Sequence, residues 1–259
     1  DAEIRDCYTS IQAKMATRSV TVNTPRPTGT YIVMTLDDGM VEDYTGSYPI
    51  AKARGIPVTS YITFADVGVY PKQLTWEQIR EMRAAGFGIE CHNWIHDRAT
   101  KMTEAELRAN LEAVDAACSA AGLPAPEHHA YVQGGTSAAV QAIMADYRDS
   151  ARGIDNRGAD IISEWGQDIN WLWVRGYDFY KASADADISD VTARIDQAID
   201  HKNVLILYTH DVSEDPTAVG CHVTPYAAIL DYIAAKRDAG LVEPVTIDGL
   251  YRAIQGIRT

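Results

Sequence analysis

Apolar positions along the chain fall into two alternating rhythms. Short continuous apolar runs predict buried strands at Tyr31–Leu36, Val58–Phe64, Gly88–Cys91, His128–Val132, Tyr147–Arg152, Trp171–Val174, Val204–Thr209 and Pro244–Ile247. Between them lie amphipathic stretches with helix start and stop signals. Thr75 with Gln78 predicts a capping box, with Gly86 past that helix's end; Thr103 with Glu106 predicts a second, ended by Gly122. Thr224 followed by Pro225 predicts another helix start, with Ile229, Tyr232 and Ile233 as its apolar stripe. Strand-then-helix alternation favours a parallel sheet, because parallel neighbours need crossover connections. Seven or eight such units with no linker after Gly29 predict one closed or nearly closed barrel. Upstream, Ile4, Tyr8, Ile11 and Met15 stand at helical spacing, and the stretch 23–29, with two prolines and a glycine, breaks that segment from the rest. The reading is an N-terminal extension, 1–29, packed on one barrel domain, 30–259.

Composition removes some classes of function. No apolar run nears the roughly 18 residues that span a bilayer, so no membrane partner is expected. A formal net charge of -13 argues against nucleic acid, whose phosphates need clustered Lys and Arg. Cys7, Cys91, Cys118 and Cys221 are too few and scattered for a disulfide framework, and they form no CxxC pair. Cys118 continues the stripe of Leu107, Leu111 and Val114 and reads as a buried thiol. The chain begins at Asp1 with no signal-peptide pattern, so either a leader has been removed or this is an excised domain.

In a β/α barrel, chemistry gathers where strands end. Three predicted strands end in suitable residues: Asp37-Asp38-Gly39, His92-Asn93-Trp94-Ile95-His96 and His210-Asp211. Adjacent aspartates before a glycine suit a turn or a cap. They also suit a metal ligand beside a free base. His92 and His96 are four apart, and one helical turn would aim both at one point. Two His and one carboxylate would leave a fourth position open, as hydrolytic zinc sites require. His210 reads equally as a strand-end histidine bonded to backbone, with Asp211 a further partner, or as a proton carrier.

Together these pieces resemble the polysaccharide deacetylase family, also called carbohydrate esterase family four. Thr35-Leu36-Asp37-Asp38-Gly39 looks like its Thr-Phe-Asp-Asp-Gly motif, His92 to His96 like its His-Ser/Thr-x-x-His motif, and Val204 to Asp211 like its late histidine motif. The resemblance runs from about Tyr31 to the C-terminus. It implies a distorted (β/α)7 barrel of the NodB type holding one divalent metal ion, zinc first with cobalt or manganese as alternatives, on Asp38, His92 and His96. It implies Asp37 as general base, His210 as general acid and the backbone N–H of Tyr131 as oxyanion donor. The implied activity is removal of acetyl groups from a carbohydrate, N-deacetylation of an amino-sugar polymer foremost, in a secreted or cell-surface protein. An O-acetyl esterase on a xylan-like glycan, an allantoinase-like amidase and an inactive carbohydrate-binding barrel are the competing readings.

The third motif departs from the pattern. The chain reads His128-His129-Ala130-Tyr131-Val132-Gln133-Gly134-Gly135, without the arginine that commonly supports the base. At most one of His128 and His129 faces the site, since they alternate across a strand. Arg152, at the end of the next predicted strand, is the candidate replacement; pairing with a surface acid such as Asp155 is the other expectation. Trp94, Trp165, Trp171, Trp173 and Tyr208 offer sugar-stacking surfaces or core packing. His222 either lines the groove or is exposed.

Overall fold

The protein is described by a computed structural model over residues 29–154 and 170–256. The helix expected over Ile4 to Met15, the extension up to residue 28, Cys7, Asp155 and Trp165 lie outside the described residues.

Seven parallel strands form the barrel: β1 (Thr30–Asp38), β2 (Val58–Ile62), β3 (Gly88–Cys91), β4 (His128–Ala130), β5 (Ser150–Ile154), β6 (Val174–Asp178) and β7 (Val204–Thr209). Each pairs with the next, and β1 closes on β7 from Tyr31↔Val204 to Leu36↔Thr209. The distortion has a visible cause. Only the second half of β1, Met34 to Asp38, pairs with β2. Its first half, Thr30 to Ile32, pairs instead with the late strand Val242–Pro244, wedged between the two.

Because side chains alternate along a strand, every second residue enters the barrel. Val33, Tyr61, Ala130, Val174, Val204 and Ile206 form one apolar cluster there, joined by Ile247, Leu250 and Ile254 of the helix Ile247–Gln255. That helix plugs the end where the strands begin: the Ile247 N–H donates to Thr59 Oγ1, near the start of β2. A larger cluster lies between the strands and the surrounding helices. The opposite end of the barrel stays polar, and the site lies there.

The two capping boxes form as expected, with both reciprocal bonds at Thr75/Gln78 and at Thr103/Glu106. Four local readings need correction. Tyr147 and Arg148 are not strand; they follow the helix Ala138–Met144, and the Arg148 N–H still donates to the Met144 carbonyl. Trp171–Trp173 is a 3₁₀ turn capped by Asn170, and the strand begins only at Val174, because three bulky residues in a row mimic a strand without alternation. The last strand ends at Pro244, and Thr246 instead caps the final helix. His222, not Thr224, caps the helix Val223–Asp238, its Nδ1 accepting the Thr224 N–H at 3.1 Å. Cys91, Cys118 and Cys221 are buried free thiols, and burial pushes Cys118 up to about 12. No helix among the described residues is long and apolar enough to cross a membrane.

Candidate active site and metal centre

Asp37 and Asp38 end β1, where consecutive side chains should face opposite ways. The backbone changes that. Asp38 adopts φ 80°, a left-handed value rare outside glycine, and Gly39 follows at φ 73°. A Cβ on Gly39 would lie 2.8 Å from the Ile62 side chain, so glycine is needed there twice over. With this kink both aspartates stay at the barrel mouth, each with its own partners.

Asp38 Oδ1 lies 3.4 Å from His92 Nε2 and 3.1 Å from His96 Nε2. A tetrahedral ion about 2.1 Å from each ligand sets ligand atoms roughly 3.4 Å apart, so the spacing fits. His92 Nδ1 is 2.8 Å from the Ala130 carbonyl, which makes Nδ1 the protonated nitrogen and leaves Nε2 free to ligate. The side chain of His92 is 3% exposed and that of His96 42%, so the centre opens to solvent on the His96 side. Burial pushes the Asp38 carboxyl up, but the bonds to His92 and His96 outweigh it and hold it well below the usual range. His96 is raised, chiefly by its bond to Asp38.

The histidine pair does not meet through a helical turn. After β3 the chain enters an irregular loop, with Asn93 in the left-handed region at φ 72°. Asn tolerates that region because its short side chain bonds locally. Here Asn93 Nδ2 donates to the Asp97 carbonyl at 2.8 Å, closing the loop around His96. Buried Asn110 accepts the Trp94 N–H at 2.7 Å and ties the loop to the helix Glu104–Ala120. Neither anchor was visible as function in the sequence.

Asp37 is buried against Arg152, whose Nη2 lies 2.5 Å from both carboxylate oxygens. The guanidinium sits over the rings of Tyr208 at 4.5 Å and Tyr61 at 5.3 Å, a sandwich that fixes its plane. Gly176 makes room for it: a Cβ there would come within 2.9 Å of Arg152 Cδ. The cation missing from the third motif is thus brought in by β5.

The third motif places its residues differently from expectation. The Tyr131 N–H donates to the Arg152 carbonyl at 2.9 Å, and its hydroxyl to the Leu172 carbonyl, so Tyr131 is structural. Its N–H is committed to the sheet and unavailable to an oxyanion. Next comes a 3₁₀ turn, Val132–Gly134, whose bonds use the N–H groups of Gly134 and Gly135. The N–H groups of Val132 and Gln133, at its start, have no acceptor within the turn. Gln133 is exposed, stands at φ 52°, and accepts from Arg98 Nε at 2.7 Å.

His210 Nδ1 is 3.2 Å from the Val219 carbonyl, which turns Nε2 outward, and its ring meets Tyr180 at 5.8 Å. Asp211 is not its partner; that carboxylate accepts from the Thr217 N–H and hydroxyl. His128 lies at the plugged end, bonded to Ser150 and facing Asp248. Glu127, His128 and Asp248 form a second cluster of ligand types, but Arg252 already pairs with Asp248 and Glu127 and supplies the cation. His129 is fully buried, and burial, then the charges of His92, Arg148 and Arg152, hold it neutral. Tyr208 is core, Trp171 packs on Tyr251, and Trp173 lies against Gly153. His222 is buried and pairs with Glu214 at 3.1 Å.

One buried acid escaped the sequence reading. Asp43 is fully buried behind the aspartate pair, with the Ser60 hydroxyl as the polar group that faces it. Burial raises its carboxyl well above the usual range, against a bond from Ser60 that lowers it and with the charges of Asp38 and Asp37 that add to the rise. The fold therefore keeps a proton that the unfolded chain releases near pH 3.9. That contribution to stability is full below about pH 4 and is lost as pH rises toward the raised value. Asp43→Asn, neutral at every pH, should lose less stability between pH 4 and pH 7 than the parent. Identical changes in thermal midpoint for both proteins would show that Asp43 does not carry this proton.

Residues 24–148 match the family model described as Polysaccharide deacetylase, a stretch that holds Asp37, Asp38, His92 and His96. A curated relative named "Putative polysaccharide deacetylase YxkH", from Bacillus subtilis (strain 168), is 27% identical over 104 residues. The aligned part covers 40% of this chain and 37% of that protein, so the chain spans little more than a third of the relative's length. The fold recurs in a structure titled a putative polysaccharide deacetylase from Mycobacterium smegmatis, with TM-score 0.62 and 13% identity over 91% of this chain and 93% of that one. It recurs in the Xyl-CE4 domain of a multidomain xylanase from the hindgut metagenome of Trinervitermes trinervoides, with TM-score 0.54 and 14% identity over 89% and 93%. Residues 24–148 are thus similar to the polysaccharide deacetylase family, and the barrel has the fold of these two structures.

Proposed function

We propose that the protein is a metal-dependent hydrolase that removes N-acetyl groups from an amino-sugar polymer, with Asp38, His92 and His96 holding one zinc ion. The observation that carries this reading is the three-ligand cluster open to solvent, beside a buried carboxylate clamped by Arg152. Mixed nitrogen and oxygen ligation at these separations suits zinc. When bound, the ion supplies Lewis acidity, polarising the acetyl carbonyl and making water acidic.

The chain's own groups do the rest. Asp37, held in one orientation by Arg152, accepts the proton of the attacking water. The N–H groups of Val132 and Gln133 are the donors that replace Tyr131 for the developing oxyanion. The bond from carbon to nitrogen then breaks, and His210 gives a proton to the departing nitrogen, leaving acetate and a free amine. A nitrogen leaving group needs that proton, so a dedicated acid with Nδ1 pinned to Val219 favours N-deacetylation. A polymer substrate places this activity outside the cell or at its surface.

The reading is tested by acetate release from chitin oligomers, peptidoglycan, poly-N-acetylglucosamine and acetylated xylan, with and without zinc. Zinc-dependent release from an amino-sugar polymer is expected. Release from acetylated xylan alone would assign an O-acetyl esterase, and none from any, with metal bound, would reject the deacetylase.

Side-chain roles separate by substitution. Asp37→Asn should keep the metal and lose activity, whereas Asp38→Asn should weaken metal binding itself. His210→Ala should retain metal and lose about 10²–10⁴ in kcat. Equal metal loss in both aspartate variants would overturn the division of base and ligand.

A further inference from the structure

The loop after β7 closes on itself through one buried acid. Asp211 is 4% exposed, and a carboxylate is costly to bury unless its oxygens are bonded. Its Oδ2 accepts the Thr217 N–H at 2.8 Å, and its Oδ1 accepts the Thr217 hydroxyl at 2.5 Å. The Asp211 carbonyl accepts the Cys221 N–H at 2.8 Å, so one residue pins the loop at its tip and at its return. Gly220 lies against it: a Cβ there would come within 2.5 Å of Asp211 Oδ1. From Thr217 the chain makes a tight turn, in which the Gly220 N–H donates to the Thr217 carbonyl at 3.0 Å. That turn brings the Val219 carbonyl to the end of β7, where it accepts the Thr209 hydroxyl at 3.2 Å and meets His210 Nδ1 at 3.2 Å. Val219 is 41% exposed, so apolar packing does not hold the turn; the bonds to Asp211 do.

We propose that Asp211 is a positioning residue for His210, acting through the Val219 carbonyl rather than by a bond to the imidazole. The inference rests on the reading of His210 as proton donor to the departing nitrogen. A carbonyl only accepts, so Nδ1 keeps its proton in both the neutral and the charged ring. Proton exchange is thereby confined to Nε2, the nitrogen turned outward. The carbonyl does this only while the turn from Thr217 to Gly220 stays in place, and Asp211 ties that turn to the end of β7. The return of the loop has separate support. The Lys181 N–H donates to the Gly220 carbonyl at 3.1 Å, and the His222 N–H to the Lys181 carbonyl at 2.7 Å. Loss of the Asp211 carboxylate therefore releases the tip and the aim of Val219, not the loop as a whole.

Asp211→Asn replaces one acceptor oxygen by an amide that cannot accept. Thr217→Val removes the hydroxyl at an exposed position, so this second variant leaves the core intact. The leaving group separates positioning from general damage. The amine leaving N-acetylchitotetraose needs a proton, whereas the 4-nitrophenolate leaving 4-nitrophenyl acetate needs none. With zinc present, both variants should lower the ratio of kcat on the tetramer to kcat on the ester by about tenfold or more, the scale of loss from a misplaced group. Adding Asp211→Asn to His210→Ala should cost nothing further on the tetramer, because Asp211 acts through that ring. Nitrogen-15 NMR of the metal-free proteins at alkaline pH, with His210 assigned by its absence in His210→Ala, gives a readout apart from activity. It should show the Nδ1–H tautomer in the parent and Nε2–H, or a mixture, in the variants. A ratio that stays the same in both variants would overturn the inference, as would additive losses in the double variant. If His210→Ala itself spares the ratio, His210 is not the acid and the inference falls with that role, while acetate release would still uphold the deacetylase. A parent inactive on both substrates would instead sink the reading of function. The tautomer then decides alone, and variants that keep Nδ1–H overturn the hold of Asp211 on His210.

Discussion

His96→Ala is expected to lose the metal ion and the activity together, with kcat/KM falling by at least about 10³, since a divalent ion supplies several kcal/mol of charge stabilisation. The geometry makes the effect specific. His96 Nε2 is one of three candidate ligand atoms, and its side chain is 42% exposed, so its loss leaves the core intact. Two ligands remain, Asp38 and His92, too few to hold zinc in competition with water. The metal-free parent and metal-free variant should therefore unfold at nearly the same temperature, while added zinc should stabilise the parent alone. Elemental analysis and thermal midpoints with and without zinc read both effects. Full metal stoichiometry in His96→Ala would remove the histidine pair from the centre.

Arg152→Ala should destabilise the protein by about 3–5 kcal/mol, the usual cost of stranding one partner of a buried ion pair. Arg152 is 1% exposed, Asp37 is 4% exposed, and the guanidinium also fills the space between Tyr61 and Tyr208. Activity should fall as well, because Asp37 loses the group that fixes its orientation. Arg152→Lys should rescue little: an ammonium keeps the charge but does not stack as a plane between two rings. Urea unfolding of Arg152→Ala, Asp37→Asn and the double variant separates pairing from packing. If Arg152 acts through Asp37, its loss costs less in the Asp37→Asn background than alone. Strict additivity of the two would refute the pairing, as would full activity in Arg152→Ala.

Much of the barrel was legible because its strands are buried on both faces and read as apolar runs. Gly88–Cys91 and Val204–Thr209 have the expected bounds. The errors fall where local sequence is ambiguous. Tyr147 resembles a strand start but follows a helix, and Trp171-Leu172-Trp173 is apolar without pairing. At the candidate site, the residue types at strand ends singled out Asp37, Asp38, His92, His96 and His210, of which Asp38, His92 and His96 come together. The route by which they meet was not legible. The expected helical turn between His92 and His96 is a loop shaped by a positive φ at Asn93, and such a backbone state leaves little trace in a single sequence.

Tyr131 and Arg152 mark the boundary between the two kinds of information. The sequence alone determined the order of elements, the ligand types at the ends of β1 and β3, and the absence of an arginine in the third motif. It even offered Arg152, with a surface pairing as the competing choice. Only the tertiary structure decided among these, since that depends on strand register. The pairing of Ala130 with Arg152 across β4 and β5 commits the Tyr131 N–H to the sheet. Closure of β1 onto β7 brings Tyr208 beside Thr35, and Arg152 is held between that ring and Tyr61 with its Nη2 on both oxygens of Asp37. Asp37 and Arg152 are 115 residues apart, and no local propensity encodes their contact. Burial of both charges in one barrel requires that they meet.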